Sequence, residues 1–198
     1  CALKVISKVY GFGDPDGFVF NMSVGYDLDG IKGRKVNTYI NNMMDAGKTA
    51  QFKECKKVLT ELFPEEKDFI AAISPNVSRS VTLSTLHGCP PQEIERIASY
   101  LLKEKHLHTF VKCNPTILGY ETARSILDEM GYDYIAFDHH HFKEDLQYKD
   151  AVPMFHRLEK RATDRGLEFG LKLSNTFPVD VKAGELPSGE MYMAGKSL

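Results

Sequence analysis

The chain has 198 residues, of which 42% are hydrophobic and 26% charged, a composition that supports a packed core and excludes disorder as the default state. A formal net charge of -2 gives no overall pull toward nucleic acid or an anionic membrane surface. The cysteines Cys1, Cys55, Cys89 and Cys113 include no CxxC pair, which excludes a disulfide scaffold and a zinc ribbon and fits a reducing cytoplasm.

The chain opens on CALKVISKVYGFG without an initiator methionine and stops at MYMAGKSL in mid-pattern, so a fragment of one domain from a chain longer at both ends is expected. No apolar run approaches the roughly 18 residues a membrane helix needs, and no signal-peptide pattern opens the chain. Gly11-Phe12-Gly13 is too short for a phosphate loop. Gly17–Val24 predicts a strand, and Arg34–Met44 and Phe52–Phe63 carry helical spacing. Lys53, Glu54, Lys56 and Lys57 read as a solvated helix face.

From Ser80 onward short β-rich runs alternate with longer helical patterns, the sign of a parallel sheet. Ser80–Leu86 predicts a buried strand. Gly88-Cys89-Pro90-Pro91 then supplies a turn with proline at a helix N-terminus. In the following helix Ile94, Ile97, Ala98, Leu101 and Leu102 recur at steps of three and four, with Glu93, Glu95, Arg96 and Lys103 outward. Thr109–Cys113 is the next strand and Glu121–Met130 the next helix, closed by Gly131. Tyr134–Phe137 repeats the strand, Val152–Thr163 the helix, and Glu168–Leu173 the strand again. Beyond Asn175 the glycines and prolines predict loop.

Right-handed crossovers of this kind build an open doubly wound sheet or a closed barrel, and periodicity does not choose between them. About five parallel strands, against the eight of a complete barrel, make any barrel here a partial one.

Ligands in parallel α/β folds bind at the carboxyl ends of the strands. Those ends are polar in this chain. They carry Ser84, Thr85, His87 and Cys89; Lys112, Asn114 and Thr116; Asp138 with His139, His140 and His141; and Lys172, Ser174, Asn175 and Thr176. Lys112 and Lys172 each sit inside an apolar strand, where an uncompensated charge is costly. A salt bridge to an acidic neighbour such as Asp138 is one reading; an anionic cofactor or a Schiff base is the other. Two such lysines on nearby strands favour the functional one. On a strand His139 and His141 would share a face and could share a metal with Asp138, the alternative being hydrogen-bonded loop histidines. Cys89, after Gly88 at a helix N-terminus, is placed either for a stabilised thiolate or as a structural buried thiol; Cys113 belongs to the core.

The strings LSTLHGCPPQEIERIASYLL, FVKCNPTILGYE, GYDYIAFD followed by HHHFKEDLQY, and GLKLSNTFPVD closely resemble the N-terminal barrel of the bacterial family named selenate reductase flavin and iron-sulfur subunit. More distantly, the layout is similar to the FMN barrels of dihydroorotate dehydrogenase and dihydropyrimidine dehydrogenase. The resemblance implies an α/β fold of partial (β/α)8, TIM-like and dihydroorotate-dehydrogenase-like form. It also implies a longer oxidoreductase carrying FAD, NAD(P)H and 4Fe-4S clusters in other domains; the four cysteines of this chain lack the close spacing a cluster needs. In the dehydrogenase group a lysine in a Lys-Leu-Thr-Pro motif lies against the flavin, and Lys112 in VKCNP takes that place. Ser174-Asn175-Thr176 looks like the group's Thr-Asn-Thr, and Thr82-Leu83-Ser84 stands where the group has Asn-Leu-Ser.

The implied flavin contacts are therefore Thr82, Ser84, Lys112, Asn114, Lys172, Asn175 and Thr176, with Lys112 and Cys89 as catalytic candidates and no metal. The chain ends before the glycine-rich loops that hold the FMN phosphate in such barrels. The fragment alone is expected to hold FMN poorly and to be inactive. Its partners would be a small-molecule substrate or a redox subunit, neither nucleic acid nor membrane. Exposed strand edges predict a homo-oligomer. Two other readings stand beside the redox barrel: a scaffold that docks redox domains or a partner subunit, and a lyase or aldolase using Lys112 or Lys172 as an imine.

Overall fold

The computed structural model describes residues 1–84, 88–173, 175–182, 184, 187 and 189–194. Thr85, His87 and Ser174, expected above at strand ends, lie outside them. In chain order the elements are α1 (Ala2–Tyr10), β1 (Asn21–Val24), α2 (Leu28–Lys32), α3 (Arg34–Met44), α4 (Ala50–Leu62), α5 (Lys67–Ala72), β2 (Ser80–Ser84), α6 (Pro91–Lys103), β3 (His108–Lys112), α7 (Tyr120–Glu129), α8 (His139–Glu144), α9 (Tyr148–Thr163), β4 (Phe169–Lys172), β5 (Phe177–Asp180) and β6 (Glu190–Met193). They fall into two units, one of residues 1–22 and 30–81, the other of residues 23–29 and 82–198.

The first unit is helical. Val5 of α1 packs with Leu59 of α4, Ile70 of α5 and Ile73, flanked by Phe52, Cys55, Phe63 and Phe69. The Thr49 side chain accepts from Phe52 N–H at 3.2 Å and caps α4, satisfying one of the donors a helix start leaves open. Lys56 departs from the solvated face expected of it. Its ammonium donates to the Ala71 and Ile73 carbonyls at 2.8 and 2.9 Å, where α5 ends, and it lies over the Phe52 ring.

The sheet has the order β1-β2-β3-β4, a four-stranded parallel arrangement, with β3 and β4 wholly in the second unit. β3 and β4 pair in parallel, with Thr109 opposite Phe169, Phe110 opposite Gly170, Val111 opposite Leu171 and Lys112 opposite Lys172. Side chains alternate across a strand. Thr109 and Val111 are fully buried on the face covered by α6 and α9, which pack on β3 and β4 and on each other. Phe110, Lys112, Gly170 and Lys172 take the opposite face. The α6 helix buries Ile94, Ile97, Ala98, Leu101 and Leu102, the residues its periodicity picks out.

A second core gathers Ala123 and Leu127 of α7 with Phe137, Phe142 of α8, and Phe177 and Val179 of β5. Tyr134–Phe137, expected as a strand, forms none. The Arg124 guanidinium takes the Ile135 carbonyl at 2.7 Å, as well as Tyr132 O just before the segment at 2.9 Å, which leaves Ala136 O, accepting from Asp180 N–H at 2.8 Å, as an isolated backbone bond to β5. The histidines are not on a strand either. Asp138 accepts from His140 N–H at 2.7 Å and caps α8, so the triplet opens a helix. The expected loop after Asn175 contains the antiparallel hairpin β5–β6. The α9 helix starts at Tyr148, with Pro153 inside it, so the expected start at Val152 was drawn toward the proline that the packed helix tolerates.

Candidate functional site

The carboxyl ends of β2, β3 and β4 bring most of the sequence-selected residues into one unit. Lys112 and Lys172 are register partners, so their backbones stand roughly 4.8 Å apart and their side chains leave the sheet on the same face. Lys112 is half-buried and Lys172 exposed. Burial, and then the positive charge of Lys172, hold the Lys112 ammonium below the usual lysine range. A like-charge pair at a strand end concentrates positive potential where a ligand would lie. The acidic partner suggested for these lysines, Asp138, is an exposed helix cap whose carboxylate is kept acidic chiefly by the His140 N–H.

Beyond the lysines the two strands are tied together. Asn114, two residues after Lys112, is buried, and its side-chain carbonyl accepts from the Asn175 amide, three residues after Lys172. The Asn175 carbonyl in turn accepts from Thr176 N–H at 2.8 Å. The Asn114 amide donates to Asp145 Oδ2 at 3.1 Å, and the Thr116 hydroxyl donates to the same oxygen at 2.6 Å. Asp145 Oδ1 accepts from Gly88 N–H at 2.7 Å. Asp145 is 5% exposed, a buried carboxylate surrounded by donors from two strand exits.

Sequence reasoning missed Asp145. It sits in the charged run Lys143-Glu144-Asp145, where it looks like solvated surface, and only its place directly after α8 exposes its role. Gln147 was missed as well; its amide donates to Asp145 O at 2.8 Å. The polar strand exit Asn114-Pro115-Thr116 was the available signal for the rest.

A recess lies at the ends of β1 and β2. It is about 270 Å³, lined by Gly25, Leu83, Ser84, Cys89, Glu93 and Ile97 among others. The Ser84 hydroxyl is 2.9 Å from that of Ser23. Cys89 does not carry a stabilised thiolate: burial, then the charge of Glu93, push its thiol up. Burial pushes Cys113 to about 11, as befits a core thiol. Thr82 is buried within β2.

The histidines part company. His139 stacks on Tyr120, His140 pairs with Asp138, and buried His141 lies 3.7 Å from Asp180. Among the described residues no group of three or more His, Cys, Asp or Glu is placed to hold a metal ion, and no helix is long and apolar enough to cross a membrane.

Comparison with known proteins agrees with this architecture. A family model described as the N-terminal TIM-barrel domain of oxidoreductase YgfK matches residues 1–198. The Escherichia coli K12 protein named "Putative oxidoreductase YgfK" is 43% identical over 196 residues, covering 91% of this chain and 19% of the relative. The protein of the same name from Escherichia coli O157:H7 matches equally. The chain thus spans 19% of the length of the curated relatives it matches. No solved structure matches it.

Proposed function

The chain belongs to the family of N-terminal TIM-barrel domains of oxidoreductase YgfK, and from that premise we propose that in the full-length protein its strand ends bind FMN against Lys112 and Lys172. The supporting observation is the pairing of these two lysines in one register. A flavin that gains electrons gains negative charge at one edge of its ring, and stable binding of that form requires a cation there. Bound, the flavin supplies electron and hydride transfer. Lys112 supplies fixed positive charge, and its partial burial lessens the screening of that charge by water.

The residues fit such a group unevenly. The lysines suit an anionic ring edge in charge and position. Thr82 and Ser84 add hydroxyls on the neighbouring strand β2. Asn114, Asn175 and Thr176 bond to one another and to Asp145, so in this proposal they shape the strand exits. The Cys89 thiol, held protonated at neutral pH, suits a proton donor better than a nucleophile. FAD, NAD(P)H and 4Fe-4S clusters are assigned to the remainder of the longer chain, a small-molecule substrate or redox subunit is the partner, and the cytoplasm is the compartment, in keeping with four free cysteines.

The closed hydrogen-bond chain at the strand exits favours one rival, a barrel kept as a scaffold. Both readings are tested by denaturing the full-length protein and identifying the released flavins. One FMN per chain beside FAD supports the proposal; FAD and iron at full stoichiometry without FMN leaves the scaffold.

A further inference from the structure

Asp145 was not among the strand-end residues that the sequence singled out, yet the Asn114 and Thr116 side chains and the Gly88 N–H converge on its carboxylate. An ionised carboxylate only accepts hydrogen bonds, which fixes the direction of each bond leading away from it. Because Asp145 Oδ2 accepts from the Asn114 amide nitrogen, the Asn114 carbonyl oxygen must face the other way, toward Asn175. Asn175 must then donate to Asn114 with its nitrogen and turn its own oxygen to Thr176 N–H. The charge at position 145 thereby sets the orientation of two amides in series. Asn114 and Asn175 close the exits of the two strands that end in Lys112 and Lys172.

Asp145 is itself firmly placed. It follows α8, its main-chain carbonyl accepts from the Gln147 amide, and Oδ1 holds Gly88 N–H, the residue before Cys89. Hydrogen bonds to a charged acceptor are roughly twice as strong as neutral ones, and a satisfied buried network is rigid.

We infer that Asp145 is a positioning residue for the lysine pair: by fixing the Asn114 and Asn175 amides it holds the exits of β3 and β4 together and keeps Lys112 half-buried beside Lys172. The inference deepens the proposed function, since it rests on the lysine pair being the ligand-facing group. An asparagine at 145 keeps one acceptor oxygen and replaces the other with an NH2 donor, so it cannot accept both from Gly88 N–H and from the Asn114 and Thr116 side chains, and the set of bonds that fixes the Asn114 amide is broken. The strand exits would part, water would reach Lys112, and the two ammonium groups would separate.

The test uses the full-length protein, wild type against Asp145→Asn and Asn175→Ala. Each lysine is trace-acetylated with acetic anhydride over a range of pH and read by mass spectrometry. Lys112 in both variants should titrate higher than in the wild type, lowering its labelling rate at neutral pH at least about threefold, equivalent to half a pKa unit. Exposed Lys160 should not change. Reduced thermal stability with an unchanged Lys112 profile would show a purely structural tie and overturn the inference. Should Asp145→Asn fail to fold, Asn175→Ala decides by the same readout. A protein that releases no FMN but shows the Lys112 shift sinks the flavin reading and leaves Asp145 in its role. One that holds FMN with Lys112 unchanged does the reverse.

Discussion

Gly170 faces Phe110 across the β3–β4 pair, and a Cβ at Gly170 would lie 2.6 Å from two carbons of the Phe110 ring. The glycine is there because the phenyl ring lies over its backbone. Gly170→Ala is expected to force the ring aside and cost about 1–3 kcal/mol, lowering the midpoint of thermal unfolding. Adding Phe110→Leu should recover most of the loss, which a double-mutant comparison would measure.

The contact between α6 and α9 is bridged by Glu95, which accepts from Arg157 at 2.6 and 3.0 Å and from Arg161. The Arg157 guanidinium, partly opposed by burial and aided by Arg161, draws the Glu95 carboxyl down from 4.5 to about 2. A lowered folded-state value means the stabilisation is complete above the unfolded value and is lost as pH falls toward the folded one. Glu95→Gln should cost roughly 1 kcal/mol at pH 7, a surface magnitude since both arginines are partly exposed. The gap between variant and wild type should close between about pH 4.5 and 2, as followed by urea unfolding at each pH.

Lys56 ends α5 by donating to two carbonyls. Lys56→Met keeps the aliphatic stem and removes both bonds, with an expected loss of about 1–2 kcal/mol. Lys57→Met, on the exposed side of the same helix, should stay within about 0.5 kcal/mol of the wild type. Thermal unfolding of the two variants distinguishes the helix-ending lysine from its solvated neighbour.

Thiol reactivity follows from burial. Cys113, 3% exposed and pushed to about 11, should resist iodoacetamide until the protein unfolds. Cys89, half-buried beside Glu93, should react more slowly at pH 8 than an unhindered thiol, because little of it is thiolate. Peptide mapping after timed alkylation reads both.

How far the sequence alone reaches depends on what each element obeys. α6 and α3 follow hydrophobic periodicity, and the structure places both where that periodicity does. The parallel order of strands was likewise legible, because short β-rich runs separated by amphipathic helices admit few other arrangements. Tyr134–Phe137 misleads because its Ile135 carbonyl is taken by Arg124, a partner no local pattern reveals. His139–His141, for which the sequence left a strand face or hydrogen-bonded loop histidines open, opens a helix instead; the Asp138 cap declares itself only through its bond to His140 N–H. Lys112, Asn114 and Asn175 were found as polar residues at strand exits. Asp145 was not, since its burial depends on donors that arrive from Gly88, Asn114 and Thr116.

The most direct measurement is the affinity of the flavin-stripped full-length protein for added FMN, wild type against Lys112→Ala, followed by quenching of flavin fluorescence. Removing one charge-assisted contact of about 1.5–3 kcal/mol should weaken binding at least about tenfold, while Lys160→Ala should bind as the wild type does. Equal FMN affinity in the Lys112→Ala protein would contradict the account.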